Sequence, residues 1–304
     1  MPAVDEVAVD HVAVDPVAPV PPEPVPEPVA DEPIADEPES EPTLVLPADA
    51  SAASVAISRD RFEAGTKATV VLARADALIL AVAAPVAAVL DAPLLAMATD
   101  DMPQAVTDEV ARLGAQRVVT VGLSIPLPSA EPIGSPDDDA ATLSVAAAAF
   151  VRAAAGTVRA FAIADTDAAR TLAGPVAAAA ALRRFPVMIG ADAARTGATD
   201  GERRAAVTYL VGTDAIAASR SVPGGFPLPA PTVEATADRL AQLLRADGVL
   251  QNADAGAGAG AATGVVGVAS TSTDPVLLAT LAACGGPVLF AVPDPAPARI
   301  YTFT

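Results

Sequence analysis

Few residues in this chain can do chemistry, and where they stand excludes several classes of function. The 304 residues contain one histidine, His11, and one cysteine, Cys284. A Ser-His-Asp or Cys-His arrangement needs an imidazole beside its nucleophile. His11 lies in an acidic, proline-rich stretch that cannot build a core around it, so no such arrangement can be assembled and no histidine-rich metal site exists. Cys284 has no partner for an internal disulfide and reads as a small buried hydrophobe. Lys67, the only lysine, follows Gly65 and Thr66 without the glycine loop that a phosphate-binding lysine needs. Glycine and alanine alternate through 256–264, but this run follows a helix and precedes a strand, the reverse of a dinucleotide loop, and reads as a linker. No cofactor is expected.

The carboxylates and arginines leave more open. Asp76, Asp167 and Asp274 recur just after an apolar run, near the carboxyl ends of parallel strands, where ligands of open α/β sheets bind. An aspartate that begins a helix also caps its free amides, so each is a cap or a ligand contact. Arg59 and Arg61 can hold an anionic polymer by charge-assisted hydrogen bonds, or pair with their neighbours Asp60 and Glu63. Asp137, Asp138 and Asp139 offer oxygen to Ca²⁺, but no further ligands are spaced as in a known loop. Carboxylates at a helix start are favoured by its dipole, and that is the reading adopted.

The elements that position these residues recur. Apolar 69–73 is followed by a polar turn, an alanine-rich helical stretch to Leu90, a second apolar run after Pro93, a helix with Val106, Val110 and Leu113 on one face, a stop at Gly114 and a third apolar run to Gly122. That is β-α-β-α-β, the form of a parallel sheet covered by helices. A second copy runs from strand 158–164 through Pro186 to 208–213, and a third begins at 263–268 and has Pro287 before its second strand. The prolines at 93, 186 and 287 mark one place in each copy. In the third copy the helix after the second strand reads as deleted, so the last module is shortened. Pro85 reads as lying in the first turn of a helix, where its missing donor costs nothing.

The residues of the first copy also carry a family resemblance. Asp60-Arg61-Phe62, Asp76-Ala77-Leu78, Ala84-Pro85, Ala92-Pro93-Leu94-Leu95, Leu113-Gly114-Ala115 and Val121-Gly122 resemble, in order and spacing, the cell wall-binding repeat type 2 family of Gram-positive surface proteins. Phe62 stands where that family has tyrosine, Leu123 where it has a second glycine, and Ser58 where glycine is common. The resemblance implies noncatalytic attachment to an anionic polymer or peptidoglycan of the cell wall, and a cell-wall or extracellular location. Modules packed into a pseudo-threefold body, or self-association, would fit such a protein. The rival readings are an α/β enzyme acting on a sugar or nucleotide at the strand ends, with Asp76 or Asp167 as base, and a structural surface protein that only self-associates.

Composition agrees with a layered α/β protein. Hydrophobic residues make up 52% of the chain and mean hydropathy is +0.45, enough for a sizeable core. Residues 1–50 hold 13 of the 37 acidic residues, 12 of the 30 prolines and no Lys or Arg, and read as a disordered extended arm. The remainder carries 24 acidic against 18 basic residues. Without clustered Lys and Arg, nucleic acid is not an expected partner. The apolar run 77–90 is bounded by Asp76 and Asp91 and broken by Pro85, too short for the roughly 20 residues of a membrane span. No signal peptide is visible in residues 1–50. The expected organisation is therefore an arm over 1–50, a first α/β module over 51–138, a second over 139–231 and a shortened third over 232–304, each with Rossmann-like layers.

Overall fold

The computed structural model describes residues 43–157, 159–163, 170–190, 193–194, 207–212, 222, 224–229, 232–246, 265–268, 273–285, 288–289 and 299–303. The site residue expected at Asp167, the lone histidine His11, the 256–264 linker and the segment 290–298, where the third copy was expected to lack a helix, lie outside the described residues.

Three wholly parallel sheets carry the fold, and they are built the same way. The first joins β2 (Thr69–Arg74), β3 (Leu94–Met97), β4 (Arg117–Val121) and β5 (Ala130–Ile133) in the order β3-β2-β4-β5. The second joins β6 (Arg159–Ile163), β7 (Val187–Ile189), β8 (Val207–Val211) and β9 (Gly225–Leu228) in the order β7-β6-β8-β9. Register matches too: Val71 lies opposite Leu94 and Val119, and Phe161 opposite Val187 and Tyr209. The prolines that mark the repeat do the same work, because the Pro93 and Pro186 carbonyls accept the amides of Val71 and Phe161, each at 2.9 Å.

The third sheet repeats the order with an element from the opposite end of the chain. It runs β11 (Val288–Leu289), β10 (Val265–Val268), β12 (Arg299–Phe303) and β1 (Thr43–Leu46). Gly267 lies opposite Val288 and Tyr301, and Tyr301 opposite Leu44, as Val119 lies opposite Glu131. This corrects the expectation of an arm reaching residue 50: Thr43–Leu46 is a strand, and it gives the third sheet the fourth strand that its own stretch of chain does not provide. Four apolar or β-branched residues between Pro42 and Pro47 are a weak local signal; only the exposed edge of β12 makes them a strand.

Three helices that follow the first strands, α2 (Ala77–Leu90), α5 (Ala173–Arg183) and α7 (Pro275–Thr280), pack on one another at the centre. Hence α2 is buried on every side from Ala77 to Ala87, as its uniformly apolar sequence requires. One continuous core runs from Leu46 through Val71, Leu80 and Phe161 to Tyr301. Pro85 lies well inside α2, not in its first turn. The carbonyl of Ala81, four residues earlier, therefore gains no intrahelical amide, and the burial of α2 outweighs that loss. Among the described residues no helix is long and apolar enough to cross a membrane.

The closeness of the central helices rests on Gly174. A Cβ there would lie 2.7 Å from Cγ of Leu278 and 3.2 Å from its carbonyl oxygen, and a backbone atom of α7 cannot swing aside. Gly174→Val is expected to destabilise the protein by about 1–3 kcal/mol, read as a fall in urea midpoint at unchanged slope; an unchanged midpoint would mean that α5 and α7 do not touch there.

The remaining helices cover strand edges and outer faces. α1 (Ala50–Arg61) lies on β3 and α4 (Ala140–Ala155) on β7. α6 (Val233–Ala246) touches α5 and β11. α3 (Gln104–Leu113) closes the far side of the first sheet, where Val106 and Leu113 join Val70, Leu72 and Leu95, and it ends at Gly114 with φ 75°, as expected.

Candidate functional site

The last turn of α1 holds three of the candidate residues, and each reaches a different element. Asp60 accepts a hydrogen bond from the Tyr301 hydroxyl of β12 at 2.7 Å. Arg61 donates to the Cys284 carbonyl in the π turn Leu281–Gly285 that extends α7. Arg59 donates from Nε to Oε2 of Glu109 on α3 at 3.1 Å, and the rest of its side chain is 54% exposed. No hydrogen bond from its two terminal nitrogens is found among the described residues.

Glu109 was not legible as a site residue, yet it organises this corner. Its side chain is fully buried and accepts from Ser58 Oγ at 2.6 Å, from Arg112 Nε at 2.8 Å and Nη2 at 2.7 Å, and from Arg59. Burial alone would push its carboxyl pKa up, but the hydrogen bonds from Arg112, Ser58 and Arg59 outweigh that and hold it below the ordinary value. Arg112 also donates to the Phe62 carbonyl at 2.9 Å. The network fixes α1 against α3, and so sets where Arg59 emerges.

At the carboxyl end of the first sheet, Asp76 caps α2 by accepting from the amides of Leu78 at 3.0 Å and Ile79 at 3.2 Å. Its other oxygen pairs with Arg170, which comes from the second repeat. A carboxylate so occupied is a cap and an inter-repeat tie. Asp274 caps α7 in the same way, through the amides of Val276 at 2.8 Å and Leu277 at 3.3 Å. Beside Asp76, Arg74 donates to the carbonyls of Gly122, at 2.9 Å, and Pro136. Gly122 has φ 66°, and a Cβ on it would lie 2.9 Å from Leu143 Cδ1 and 3.1 Å from Arg74 Nη2, which accounts for the glycine that closes the β4 motif. Asp139 caps α4 through the Thr142 amide at 2.7 Å, which lowers its carboxyl pKa, and Asp138 accepts from the Ser135 amide at 2.7 Å. Among the described residues no three His, Cys, Asp or Glu side chains are grouped to hold a metal. Cys284 is buried, its thiol donates to the Leu94 carbonyl at 3.2 Å, and burial pushes its pKa up to about 12.

A buried serine is a second feature that sequence reading missed. Ser54 on α1 accepts the amide of Ala96 in β3, and Ser144 on α4 accepts the amide of Ile189 in β7, both at 3.0 Å. Ala96 and Ile189 hold the same register position in their sheets. Each hydroxyl in turn donates a hydrogen bond to the carbonyl three residues back, at 2.8 and 2.7 Å. The helix thereby satisfies an edge-strand amide that would otherwise be buried without a partner. The available signal was a serine set among small apolar residues, Ser54 between Ala53 and Val55 and Ser144 before Val145, although α1 also carries Ser51 and Ser58. Ser54→Ala is expected to cost about 1–3 kcal/mol in a denaturation titration; no measurable change would remove this role.

No family model and no curated protein matches the chain. Solved structures do. The chain is similar to Cwp8 from Clostridium difficile, with TM-score 0.62 and 16% identity over 87% of this chain and 50% of that one. It is also similar to Cwp6 from the same organism, with TM-score 0.61 and 16% identity over 86% of this chain and 46% of that one. The three-sheet fold is thus shared with these proteins, and the chain spans about half the length of each.

Proposed function

We propose that this protein is a noncatalytic binding module that attaches to an anionic polymer or peptidoglycan of the cell wall and acts at the cell surface. The observation that carries the reading is the fold: three register-matched parallel sheets, in an arrangement shared with Cwp8 and Cwp6. The cell wall-binding repeat motifs of the first copy support it. Asp76 and Asp274 spend their carboxylates on helix amides, and Asp76 is also paired with Arg170, so neither is set up as a free base. Arg59 keeps about half of its side chain exposed, and of the candidate residues it is the best placed to meet an anionic group. Asp60 and Arg61 hold α1 in place behind it, and Asp167 stays a contact candidate on the strength of its sequence position.

A pulldown with purified Gram-positive cell walls tests this, run with intact walls, with walls stripped of anionic polymer, and with added Ca²⁺. Retention on intact walls that falls on stripping, and falls again for Arg59→Gln assayed well below its melting temperature, is the expected result; the substitution also removes one of the partners of Glu109. No retention under any of these conditions would overturn the proposal.

A further inference from the structure

The three sheets share one register, so their fourth strands can be compared residue by residue. Opposite Val119, Tyr209 and Tyr301 stand Glu131 of β5, Phe226 of β9 and Leu44 of β1. The next residues are Pro132, Pro227 and Val45. In β5 the Ser129 carbonyl accepts the Val118 amide, and in β9 the Gly224 carbonyl accepts the Thr208 amide. Residues 129, 131 and 133, and 224, 226 and 228, therefore turn their backbone groups inward to the sheet, while Pro132 and Pro227 turn theirs outward. A proline there has no amide to offer, which closes the edge to a further strand. In β1 the same outward position is Val45, which keeps its amide and carbonyl and is 51% exposed. Of three equivalent edges, two are blocked, and at the third no described strand pairs with β1.

We propose that the outer edge of β1 is a self-association surface, pairing antiparallel with β1 of a second copy about Val45. The strand is complementary to itself. With Val45 opposite Val45 of the other copy, the two residues exchange a reciprocal pair of hydrogen bonds. The next outward residues, Thr43 and Pro47, then face each other across the pair. The Thr43 amide meets the Pro47 carbonyl, while the Thr43 carbonyl faces a residue with no amide and stays with water. A longer strand of another protein gains little from this edge, because Pro47 ends the ladder where a second β1 also ends. Contact through four residues buries far less than the roughly 1,000 Å² of a stable interface, so the association is weak and depends on concentration. Each copy carries a net charge of −19, so like-charge repulsion opposes pairing and added salt strengthens it.

The full-length chain tests this through two substitutions. In Val45→Cys the paired Cα atoms would lie about 5.5 Å apart, within disulfide range, and the native Cys284 is buried and does not compete. Phe226→Cys, at a side chain of matched 53% exposure on the closed β9 edge, is the control. Under mild oxidation Val45→Cys is expected to form the disulfide-linked dimer at least ~10-fold faster than the control, since paired strands hold the thiols together. Val45→Pro copies the closed edges, and sedimentation velocity should find it monomeric at concentrations where the wild type dimerises, with the wild-type dimer increasing in high salt. Equal crosslinking rates for the two cysteine variants, or wild-type association by Val45→Pro, would overturn the proposal.

Discussion

Removing residues 1–46 should destabilise the protein far more than removing residues 1–42, although the two truncations differ by four residues. Leu46 is 1% exposed and belongs to the continuous core, Leu44 packs against that core, and all four residues of β1 pair with β12. Burial of a leucine contributes about 1.5–3 kcal/mol and each ladder hydrogen bond about 0.5–1.5 kcal/mol. The shorter chain therefore loses about 4–6 kcal/mol, a large part of the about 5–15 kcal/mol that holds a typical domain folded. Tyr301 reports on this locally. It is fully buried in β12, and the chain has no tryptophan, so in a Tyr209→Phe background its fluorescence follows the third sheet alone. Early exposure of Tyr301 in urea is expected for the chain starting at residue 47 and not for the chain starting at residue 43. Coincident transitions would mean that β1 is an ornament on a sheet that is complete without it.

Glu109 should give the largest effect of any single side chain. Glu109→Ala leaves the Ser58 hydroxyl and the Arg59 and Arg112 guanidinium groups facing an empty buried position, and breaking such a buried charge network costs about 3–5 kcal/mol. Glu109→Gln keeps the shape and loses the charge, so it should fall between the wild type and alanine. The pH dependence has a definite sign. The folded carboxyl pKa lies below the ordinary 4.5, so the folded state binds the proton less readily than the unfolded chain. The stabilisation is fully present above about pH 4.5 and drains away as the pH falls through the folded pKa. The stability difference between wild type and Glu109→Gln, measured by urea titration from pH 7 to pH 3, should therefore hold level and then shrink toward the acid end. A difference that grows on acidification would mean that Glu109 is not held ionised by its partners.

The repeat could be seen in the residues because it is written in signals that act locally. Pro93 and Pro186 sit just before the second strand of their units, Gly114 stops α3 in the left-handed conformation, and Asp76 and Asp274 begin α2 and α7. Each depends on backbone geometry within a few residues, so it survives in a single sequence. The candidate site was less legible. Arg59, Asp60 and Arg61 could be named as charged neighbours, but their partners Glu109, Tyr301 and the Cys284 carbonyl lie 50, 241 and 223 residues away in sequence. Its spacing from Val106 and Leu113 puts Glu109 on the apolar face of α3, but the Ser58 and Arg59 partners that satisfy it there become visible only when α1 lies across α3.

The residues by themselves determined the α/β character, the threefold recurrence of strand and helix, and the absence of an imidazole from everything beyond position 11. Tertiary structure decided which strand completes which sheet, since a backbone edge is satisfied by whatever segment reaches it and not by sequence neighbours. It joined Thr43–Leu46 to Arg299–Phe303 across nearly the whole chain, buried Pro85 inside a helix, and spent most of the candidate charges on holding helices together. A charged side chain takes its role from the group it meets once the core has formed, and that meeting is a property of the packed molecule.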